Sequence, residues 1–363
     1  MRVIAQAGAI GSALTLAAAA RQRDALVSIV ADESAALVCT NPGISIKAAV
    51  TAEIVERGTA TVSGDRLGEL IAGFKPGATI NIGTTGNAVT IEQYRLPTAD
   101  MPISPELIGE IGRVEIGAED CLDLLAVVSA AGTEPTRFYL TGVFLHSVGD
   151  QLVAVASDGT RLIRRSIAAA RFSDDATLIV PNKAASALAK LIRQTKTNRI
   201  TLRRSRAMIS ASGAGFELVS RLIDGKYPDY GRIVPAPSPN SADIDRAELQ
   251  AALARLMAIA SGDFPLIALA WSEGMPLHVF LPRQPGDGAD DVTADTAGSA
   301  RIALAPSQLT AMLAAFNTKN VCLNAADRLL ITAENQLGLL MPCAWNFGEA
   351  EKLKTEKRSA LDR

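Results

Sequence analysis

The sequence contains little of what most enzymes and exported proteins carry. Its 363 residues include only two histidines and four cysteines, and the cysteines lie far apart with no CxxC pair. Zinc coordination and a disulfide framework are therefore not expected, and isolated buried thiols in a reducing cytoplasm are the plainer interpretation. Outside the N-terminus, no apolar run approaches the roughly 20 residues of a membrane span. We expect a cytoplasmic protein, without membrane segments, of two or three globular domains.

Catalytic motifs are also missing. The sequence has no HExxH, GxSxG, P-loop or GxGxxG pattern. His146 follows an apolar run that resembles a strand, which is typical of a partly buried structural histidine. The acidic pairs Asp174-Asp175 and Asp290-Asp291 lie in polar, turn-like stretches, where water would solvate them. The sequence therefore predicts no catalytic residue, no bound metal and no cofactor.

Positive charge is concentrated in one segment, although the formal net charge of the chain is −2. An ordinary solvated helix face explains such a cluster in most proteins. A basic face without compensating acids, in a protein that is acidic overall, is also the pattern of a surface that faces phosphates without sequence preference. The eight basic residues of this acid-free segment are Lys183, Lys190, Arg193, Lys196, Arg199, Arg203, Arg204 and Arg206.

An internal repeat with a long period is the most informative feature. Three segments, at 2–20, 113–130 and 242–259, open with a short strand and continue into an amphipathic helix. A second helix follows in each unit, and it leads into two strands of alternating polarity. These second helices are predicted at 63–74, 182–194 and 307–316, with Ser63, Asn182 and Ser307 as their N-caps. The apolar N-terminal stretch resembles a secretory signal on its own, but it is one copy of a unit that recurs internally.

The three units predict three α+β domains, each with two helices and several antiparallel strands. Their predicted bounds are 1–111, 112–236 and 237–347, and a charged tail at 348–363 is expected to be mobile. Trp345 and Phe347 precede this tail. They either cap the sheet of the third domain or pack beside the neighbouring Met341-Pro342.

The repeat and two motifs of its middle unit resemble the beta subunit of bacterial DNA polymerase III. The motifs are Ser-Asp-Gly-Thr-Arg-Leu at 157–162 and Leu-Ile-Asp-Gly-Lys-Tyr-Pro-Asp-Tyr at 222–230, and Leu-Met-Pro at 340–342 adds to them. The similarity extends over about residues 1–345. It implies a DNA-clamp fold in which two chains pair head to tail as a six-domain ring, with helices inside and antiparallel sheets outside.

The function that this resemblance implies is a non-catalytic sliding clamp. Such a ring encircles duplex DNA without sequence specificity and tethers the replicative DNA polymerase, the clamp loader and repair polymerases. Two alternatives stay open. A divergent clamp paralogue would bind partners without supporting replication, and a nuclease would need an acidic metal cluster that the sequence does not display.

Two sets of site residues follow from the charge pattern and the resemblance. The expected DNA-binding residues are Arg21, Arg23, Phe138, Tyr139, Lys183, Lys190, Arg193, Lys196 and Arg199. The aromatic pair Phe138-Tyr139 is predicted to lie in a loop before Leu140. The expected residues of a hydrophobic cleft for partner peptides are Leu140, Ser157, Gly159, Thr160, Arg161, Leu162, Pro228, Arg232, Ile233, Leu339, Met341 and Pro342. Thr160 departs from the family, which often has histidine at this position.

Overall fold

The computed structural model describes residues 1–20, 25–100, 102–168, 170–172, 177–260, 265–282 and 288–344. None of the helices in this part of the chain is long and apolar enough to cross a membrane. The α-helices are α1 (Ala7–Ala17), α2 (Gly64–Ala72), α3 (Ala118–Leu125), α4 (Asn182–Gln194), α5 (Arg246–Ile259) and α6 (Pro306–Ala315). Short 3-10 helices lie at Ala18–Ala20, Ala126–Ala130, Pro135–Leu140 and Tyr230–Arg232.

The strands are numbered in chain order. Strands β1 to β9 are Arg2–Gln6, Leu26–Ala31, Ala35–Asn41, Ile44–Val50, Ala52–Glu56, Gly58–Ser63, Thr79–Thr85, Ala88–Ile91 and Tyr94–Pro97. Strands β10 to β17 are Gly112–Gly117, Gly142–Val148, Gln151–Ser157, Arg161–Ile167, Thr177–Pro181, Arg199–Arg204, Met208–Gly213 and Phe216–Arg221. Strands β18 to β26 are Ser241–Asp245, Ile267–Trp271, Leu277–Phe280, Ala289–Val292, Ala294–Ala297, Ala300–Leu304, Asn320–Ala325, Leu329–Ala333 and Gln336–Leu340.

The described elements confirm the second helix of each repeat within one or two residues, but two of the three predicted N-caps are wrong. The first helices of the first and second repeats end earlier than predicted, at Ala17 and Leu125, and continue as 3-10 helices. The Ser63 hydroxyl accepts from the Arg66 N–H at 3.5 Å, as a cap should. Asn182 and Ser307 instead lie inside their helices, after Pro181 and Ala305, and neither of those cap positions has a side-chain hydrogen bond. At α6 the chain enters the helix through Pro306, whose missing N–H costs nothing in the first turn.

Two compact units emerge from the contacts within the chain. The first comprises residues 1–128, 134–154 and 167–227. Its sheets have the strand orders β5-β1-β7-β8-β9 and β10-β15-β16-β17-β4-β3-β2-β6, and β14 pairs with β11. The antiparallel pairing of β17 with β4 joins strands of the first and second repeats, with Leu218 opposite Ile46.

The second unit comprises residues 129–133, 155–166 and the described residues from 228 onward. Its strands follow the orders β13-β26-β25-β24-β18-β22 and β21-β20-β19-β23. Here β13, a strand of the second repeat, pairs with β26 of the third repeat, with Leu162 opposite Leu339. The same kind of strand pairing thus joins neighbouring repeats in both units.

A layered core explains why each repeat needs both helices and sheets. In the first repeat Ile10 of α1 and Leu67 of α2 are at most 2% exposed and belong to one cluster with Val27 and Ile80 of the strands. Burial of each large aliphatic side chain contributes roughly 1.5–3 kcal/mol. The apolar faces of the helices therefore have to lie on the sheets, and their other faces remain available for function.

Candidate functional sites

The exposed face of α4 carries the predicted positive charge. Lys183, Lys190 and Arg193 are exposed on α4, and Lys196 is exposed in the turn that follows. On the opposite face Leu188, Leu191 and Ile192 are buried. Within the described residues none of the four cations has an ion-pair partner. We call these four residues the basic surface; its local potential is attractive to phosphates.

Arg199 differs from the basic surface, although the sequence groups it with those four residues. Its Nη1 lies 3.6 Å from Oε2 of Glu115, because β15 pairs with β10 and places Arg199 opposite Gly117. Arg203 on the same strand forms an ion pair with Glu217. The segment therefore has no acidic residue in its own sequence, but neighbouring strands place acidic side chains next to its arginines.

Lys190 also borders a groove in the first unit. The groove has a volume of about 730 Å³ and lies between α1 and α2, with Gly8, Gly11 and Gly68 in its walls.

Among the six described α-helices, α4 is the only one with several basic residues and no acidic residue. Helices α1 and α6 have no charged residue, and α3 has three acidic residues. The positive charge of the described helices is thus concentrated on α4.

The aromatic pair Phe138-Tyr139 lies in a 3-10 helix, Pro135–Leu140, where a loop was predicted. The two rings make an edge contact with centroids 5.7 Å apart, and Phe138 is 48% exposed. A Cβ atom on Gly225 would lie 3.1 Å from the Phe138 ring, so the Gly225 backbone closely supports this ring.

Arg21 and Arg23 lie outside the described residues, and their predicted role in DNA binding stays a prediction.

In the second unit, a tight turn after β12 organises the predicted cleft residues. Asp158 accepts from the N–H groups of Thr160 and Arg161, from the Thr160 hydroxyl and from Nε of Arg161, at 2.8 to 3.0 Å. Gly159 has a φ of +92°, which favours glycine at this position. Burial raises the pKa of Asp158, but the hydrogen bonds from Thr160 and Arg161 outweigh it and leave the pKa below its ordinary value. The carboxylate is therefore ionised at neutral pH and holds the turn.

The end of β26 lies against this turn. The Met341 N–H donates to the Thr160 carbonyl at 2.9 Å, which extends the pairing of β13 with β26 by one residue. Leu162 and Leu339 beneath it are at most 2% exposed, whereas Met341 is 41% exposed and Pro342 is exposed. A flexible, partly exposed methionine over a buried apolar base suits contact with varied apolar side chains.

The third segment, 228–233, is attached to the same sheet. Nη1 of Arg328, in the turn between β24 and β25, donates to the Ile233 carbonyl at 3.0 Å, and the Ile233 side chain is 43% exposed. Arg164 of β13 hydrogen-bonds the Tyr230 side chain, whose pKa burial raises. We use the name cleft surface for segments 157–162, 228–233 and 339–342, which these contacts bring together.

The contacts above do not include Leu140, and its predicted role in the cleft stays a prediction. Leu140 belongs to the first unit, where it is buried at the end of its 3-10 helix. Trp345, Phe347 and the charged tail at 348–363 lie outside the described residues. Sequence reasoning missed Asp158, Arg164, Gln308 and Arg328. The Asp158-Gly159 turn pattern is the only local signal that could have revealed any of them.

Metal chemistry has no visible support in the described part of the chain. No group of three or more His, Cys, Asp or Glu side chains there is placed to hold a metal ion. None of the four cysteines forms a disulfide; Cys39 and Cys121 are buried, but Cys322 and Cys343 are partly exposed, which corrects the expectation of four buried thiols. Burial raises the pKa of Cys121 to about 12, so this thiol is inert as a nucleophile.

Known proteins resemble the chain in both sequence and fold. The family described as "DNA polymerase III beta subunit, central domain" matches residues 123–229. The beta sliding clamp of Rickettsia bellii is 24% identical over 249 residues, which span 65% of each protein. That of Pseudomonas putida is 26% identical over 299 residues, or 79% of each. A crystal structure of the DNA polymerase sliding clamp from Pseudomonas aeruginosa with ligand has a TM-score of 0.86, with 24% identity, and the match covers 95% of this chain and 100% of that one.

The fold therefore defines a three-repeat DNA clamp, in which each repeat contributes two helices and two layers of antiparallel strands. The family match lies in the second repeat, and the sequence relatives extend beyond it. Residues 123–229 match the central domain of the DNA polymerase III beta subunit family, and the chain is similar in sequence and fold to the bacterial beta sliding clamps.

Proposed function

We propose that this protein is a DNA sliding clamp, a non-catalytic processivity factor that acts in the cytoplasm. One observation carries the proposal: the last strand of each repeat occupies the position of a joining strand, and in the described residues the last strand of the first repeat, β9, pairs only with β8 of its own repeat. Strand β4 of the first repeat joins β17 of the second, and β13 of the second joins β26 of the third. In both pairs, an inner strand of one repeat pairs with the last strand of the next. The corresponding inner strand of the third repeat is β21, and by the same rule it has to pair with β9, the last strand of a first repeat.

A second copy of the chain supplies that partner. Both β9 and β21 lie at the ends of their sheets in the described part of the chain. Ile103, six residues after the end of β9 in the sequence, is 97% exposed, and the 61% exposed Ile259 lies beside Gly288, the residue before β21. Exposed apolar side chains next to open strand edges favour association. Because each chain has both edges, the pairing is head to tail, and two chains of three domains (1–111, 112–236 and 237–347) close a ring of six.

The basic surface gives such a ring a weak hold on duplex DNA. Contacts from Lys183, Lys190, Arg193 and Lys196 to phosphates carry no base information, so the ring can move along the duplex. Arg199 contributes less, because Glu115, which also pairs with Arg113, offsets part of its charge. Phe138 and Tyr139 offer an exposed aromatic edge for the same contact. Topological closure then retains the DNA where affinity alone would not.

The cleft surface is proposed to bind short apolar peptide segments of the replicative polymerase, the clamp loader and repair polymerases. Met341 and Ile233 expose apolar surface there, and the Asp158 turn keeps Gly159 and Thr160 accessible. Rigid turns around adaptable apolar side chains suit a site with several partners.

Retention on circular DNA tests the clamp function. The native mass is measured first by light scattering and is expected at twice the 38.0 kDa chain mass. A bacterial clamp loader and ATP then load the protein on nicked circular DNA, and gel filtration follows the complex. Linearising the DNA is expected to release the protein, because a ring slides off a free end. A dimer that no loader can place on circular DNA would instead support the paralogue, and equal retention on circular and linear DNA would overturn a sliding ring.

Reversing the charge of Lys190, Arg193 and Lys196 to Glu together tests the basic surface in the same assay. We expect at least tenfold faster loss from circular DNA, and a slope of log affinity against log salt that is weaker by about 2–3, close to 0.9 for each phosphate contact. The matched control reverses three exposed bases elsewhere, Lys47, Arg57 and Arg171, with the same total change in charge. An equal effect of both triple variants would show that net charge, and not this surface, retains DNA.

A further inference from the structure

We propose that a second surface of this protein binds peptides: the junction of the first and second repeats, which takes short segments that present one carboxylate beside an apolar anchor. We use the name junction surface for the β3–β4 turn at 40–44, the linker segment 104–111 and the end of β17 at 221–223. None of the predicted site residues lies in these segments. The junction surface shares its construction with the cleft surface, and binding there goes beyond the proposed function.

The turns of the two surfaces make the same backbone contact. At the cleft surface the Met341 N–H donates to the Thr160 carbonyl at 2.9 Å, and at the junction surface the Arg221 N–H donates to the Gly43 carbonyl at 2.8 Å. Both carbonyls lie in a tight turn between two neighbouring strands, and both N–H groups lie at or directly after the end of the last strand of the next repeat. A peptide at either surface therefore meets the same kind of turn beside the same kind of strand end.

The chain also leaves the sheet in the same way at both surfaces. Two residues further along, the Ile223 N–H donates to the Ile179 carbonyl at 2.9 Å, and the Cys343 N–H donates to the Ala303 carbonyl at 2.8 Å. Ile179 and Ala303 correspond, because each lies three residues before the start of the second helix of its repeat. The two surfaces therefore share a backbone frame, and a difference between their ligands has to come from their side chains.

The linker of the junction surface crosses one end of the eight-stranded sheet. At one side the hydroxyls of Ser104 and Thr40, on β3, are hydrogen-bonded at 2.6 Å; at the other the Ile111 N–H donates to the carbonyl of Arg204, the last residue of β15, at 2.9 Å. The ends of β4, β17 and β16 lie between these attachments in the strand order. Neighbouring strands are about 4.8 Å apart, so the linker spans roughly 19 Å and its middle residues, 107 and 108, lie beside the end of β17.

An exposed apolar side chain lies in the middle of this linker. Ile108 is 78% exposed, while Leu107 and Ile223 are partly buried and Ile44, at the start of β4, is buried. The cleft surface has the same arrangement, since the 43% exposed Ile233 comes from the linker between the second and third repeats. An apolar side chain of a ligand that covers Ile108 removes apolar area from water, which favours binding.

The junction surface differs from the cleft surface in its charge. Arg221 occupies the position that Met341 has in the cleft surface; it is exposed, and in the described part of the chain it has no ion-pair partner. A guanidinium forms two parallel hydrogen bonds with a carboxylate. The exposed acids Glu106, Glu110 and Asp224 belong to the same region, so a ligand carboxylate is favoured only within reach of Arg221. The ligand therefore needs one carboxylate close to its apolar anchor, and not an acidic run.

Photocrosslinking of short peptides to the full-length protein tests this inference. The probes are acetylated, amidated pentapeptides with photoreactive benzoylphenylalanine at the central position, one Asp placed in turn at each other position, and Ser elsewhere. Matched peptides have Asn in place of Asp. We expect cross-links at 104–111 and 221–223, located by mass spectrometry. From the concentration dependence of the yield, at least one Asp peptide should bind roughly two- to fivefold more tightly than its Asn counterpart, as for one exposed ion pair.

Two variants of the junction surface sharpen the test. Ile108→Ser should lower the affinity of every peptide at this surface by at least about threefold, because the apolar contact is lost. Arg221→Gln should reduce the Asp-to-Asn affinity ratio to about one. The controls Val55→Ser and Arg66→Gln change an exposed valine of β5 and an exposed arginine of α2, and they should leave both values unchanged. Circular dichroism verifies that each variant is folded.

The positions of the cross-links separate this inference from the proposed function of the cleft surface. Cross-links only at 157–162, 228–233 and 339–342 would overturn binding at the junction surface and leave the peptide cleft in place. Cross-links at the junction surface that neither variant weakens would also overturn the inference. Cross-links at the junction surface alone, weakened by both variants, would support it and count against the peptide cleft. Protein without cross-links at either surface would contradict both proposals.

Discussion

Helices α4 and α6 occupy the same place in successive repeats, yet their exposed faces differ completely. Both follow a strand and precede a pair of antiparallel strands, and both bury leucines against their sheets. The outer face of α4 carries Lys183, Lys190 and Arg193 without an acid, whereas α6 has no charged residue and contributes Gln308 to a hydrogen-bond network.

The two helices thus share the packing of their buried faces and differ in their exposed residues. The buried positions have to match because both helices cover similar sheets. The exposed positions have no such constraint, so α4 presents positive charge while α6 hydrogen-bonds the Asp158 turn through Gln308. Experiments on the two helices should therefore agree on the buried face and disagree on the exposed face.

The largest expected effect concerns the shared buried face. Leu191 of α4 and Leu313 of α6 are both 0% exposed, so Leu191→Ala and Leu313→Ala should each lower the free energy of unfolding by about 2–5 kcal/mol. Denaturant unfolding measures this loss. The controls Ser186→Ala and Thr310→Ala, at exposed positions on the same helices, should stay within about 0.5 kcal/mol of wild type. A large loss at only one of the two leucines would contradict equivalent packing.

A smaller effect is expected from Asp158, whose charge maintains the network of α6 and has no counterpart at α4. Its folded-state pKa is lowered below the ordinary value of 3.8, so ionised Asp158 stabilises the fold above about pH 3.8. This contribution is lost as the pH falls through the lowered pKa. Asp158→Asn should therefore cost roughly 1–2 kcal/mol at pH 7, and the difference from wild type should shrink below pH 3.8.

Unfolding at pH 7, 5 and 3 measures that dependence. Asp295→Asn replaces an exposed aspartate of β22 and provides the matched control, with little expected change in stability at pH 7. A difference between Asp158→Asn and wild type that remains constant over this pH range would contradict stabilisation by the ionised carboxylate.

The smallest effects concern the starts of the helices. Because neither α4 nor α6 has a side-chain cap, Ser307→Ala should change the free energy of unfolding by less than about 0.5 kcal/mol. Asp245 caps α5 by accepting from the N–H groups of Ala247 and Glu248, at 2.8 and 3.3 Å, so Asp245→Ala should cost about 0.5–2 kcal/mol. Thermal unfolding of the two variants compares them, and equal losses would contradict the absence of a cap at α6.

Sequence reasoning predicted the helices better than their ends. Helical spacing of apolar residues identified α2, α4 and α6, because periodicity is a property of the chain itself. The N-caps at Asn182 and Ser307 were wrong, because a good capping residue is not enough when the backbone enters the helix one or two residues earlier. The loop predicted at Phe138 is a 3-10 helix for a similar reason, since its short turns have little periodicity to detect.

In the candidate sites, too, the features of a single helix were predictable from the sequence and the pairings across a sheet were not. The exposure of Lys183, Lys190 and Arg193 follows from their spacing on an amphipathic helix, and the sequence was sufficient to predict it. The pairing of Arg199 with Glu115 was not predictable, because strands β15 and β10 are distant in sequence and meet only in the sheet.

The threefold repeat, the location of the basic helix and the resemblance to the beta subunits of bacterial DNA polymerase III were all evident from the sequence. These depend on periodicity, composition and local motifs, all of which are readable along one chain. Tertiary structure alone decided which arginines have acidic neighbours, which strands lie at the ends of their sheets and which residue faces Thr160. Gln308 is the clearest case, because its hydrogen bond to Thr160 joins residues about 150 positions apart and leaves no trace in the local pattern of either.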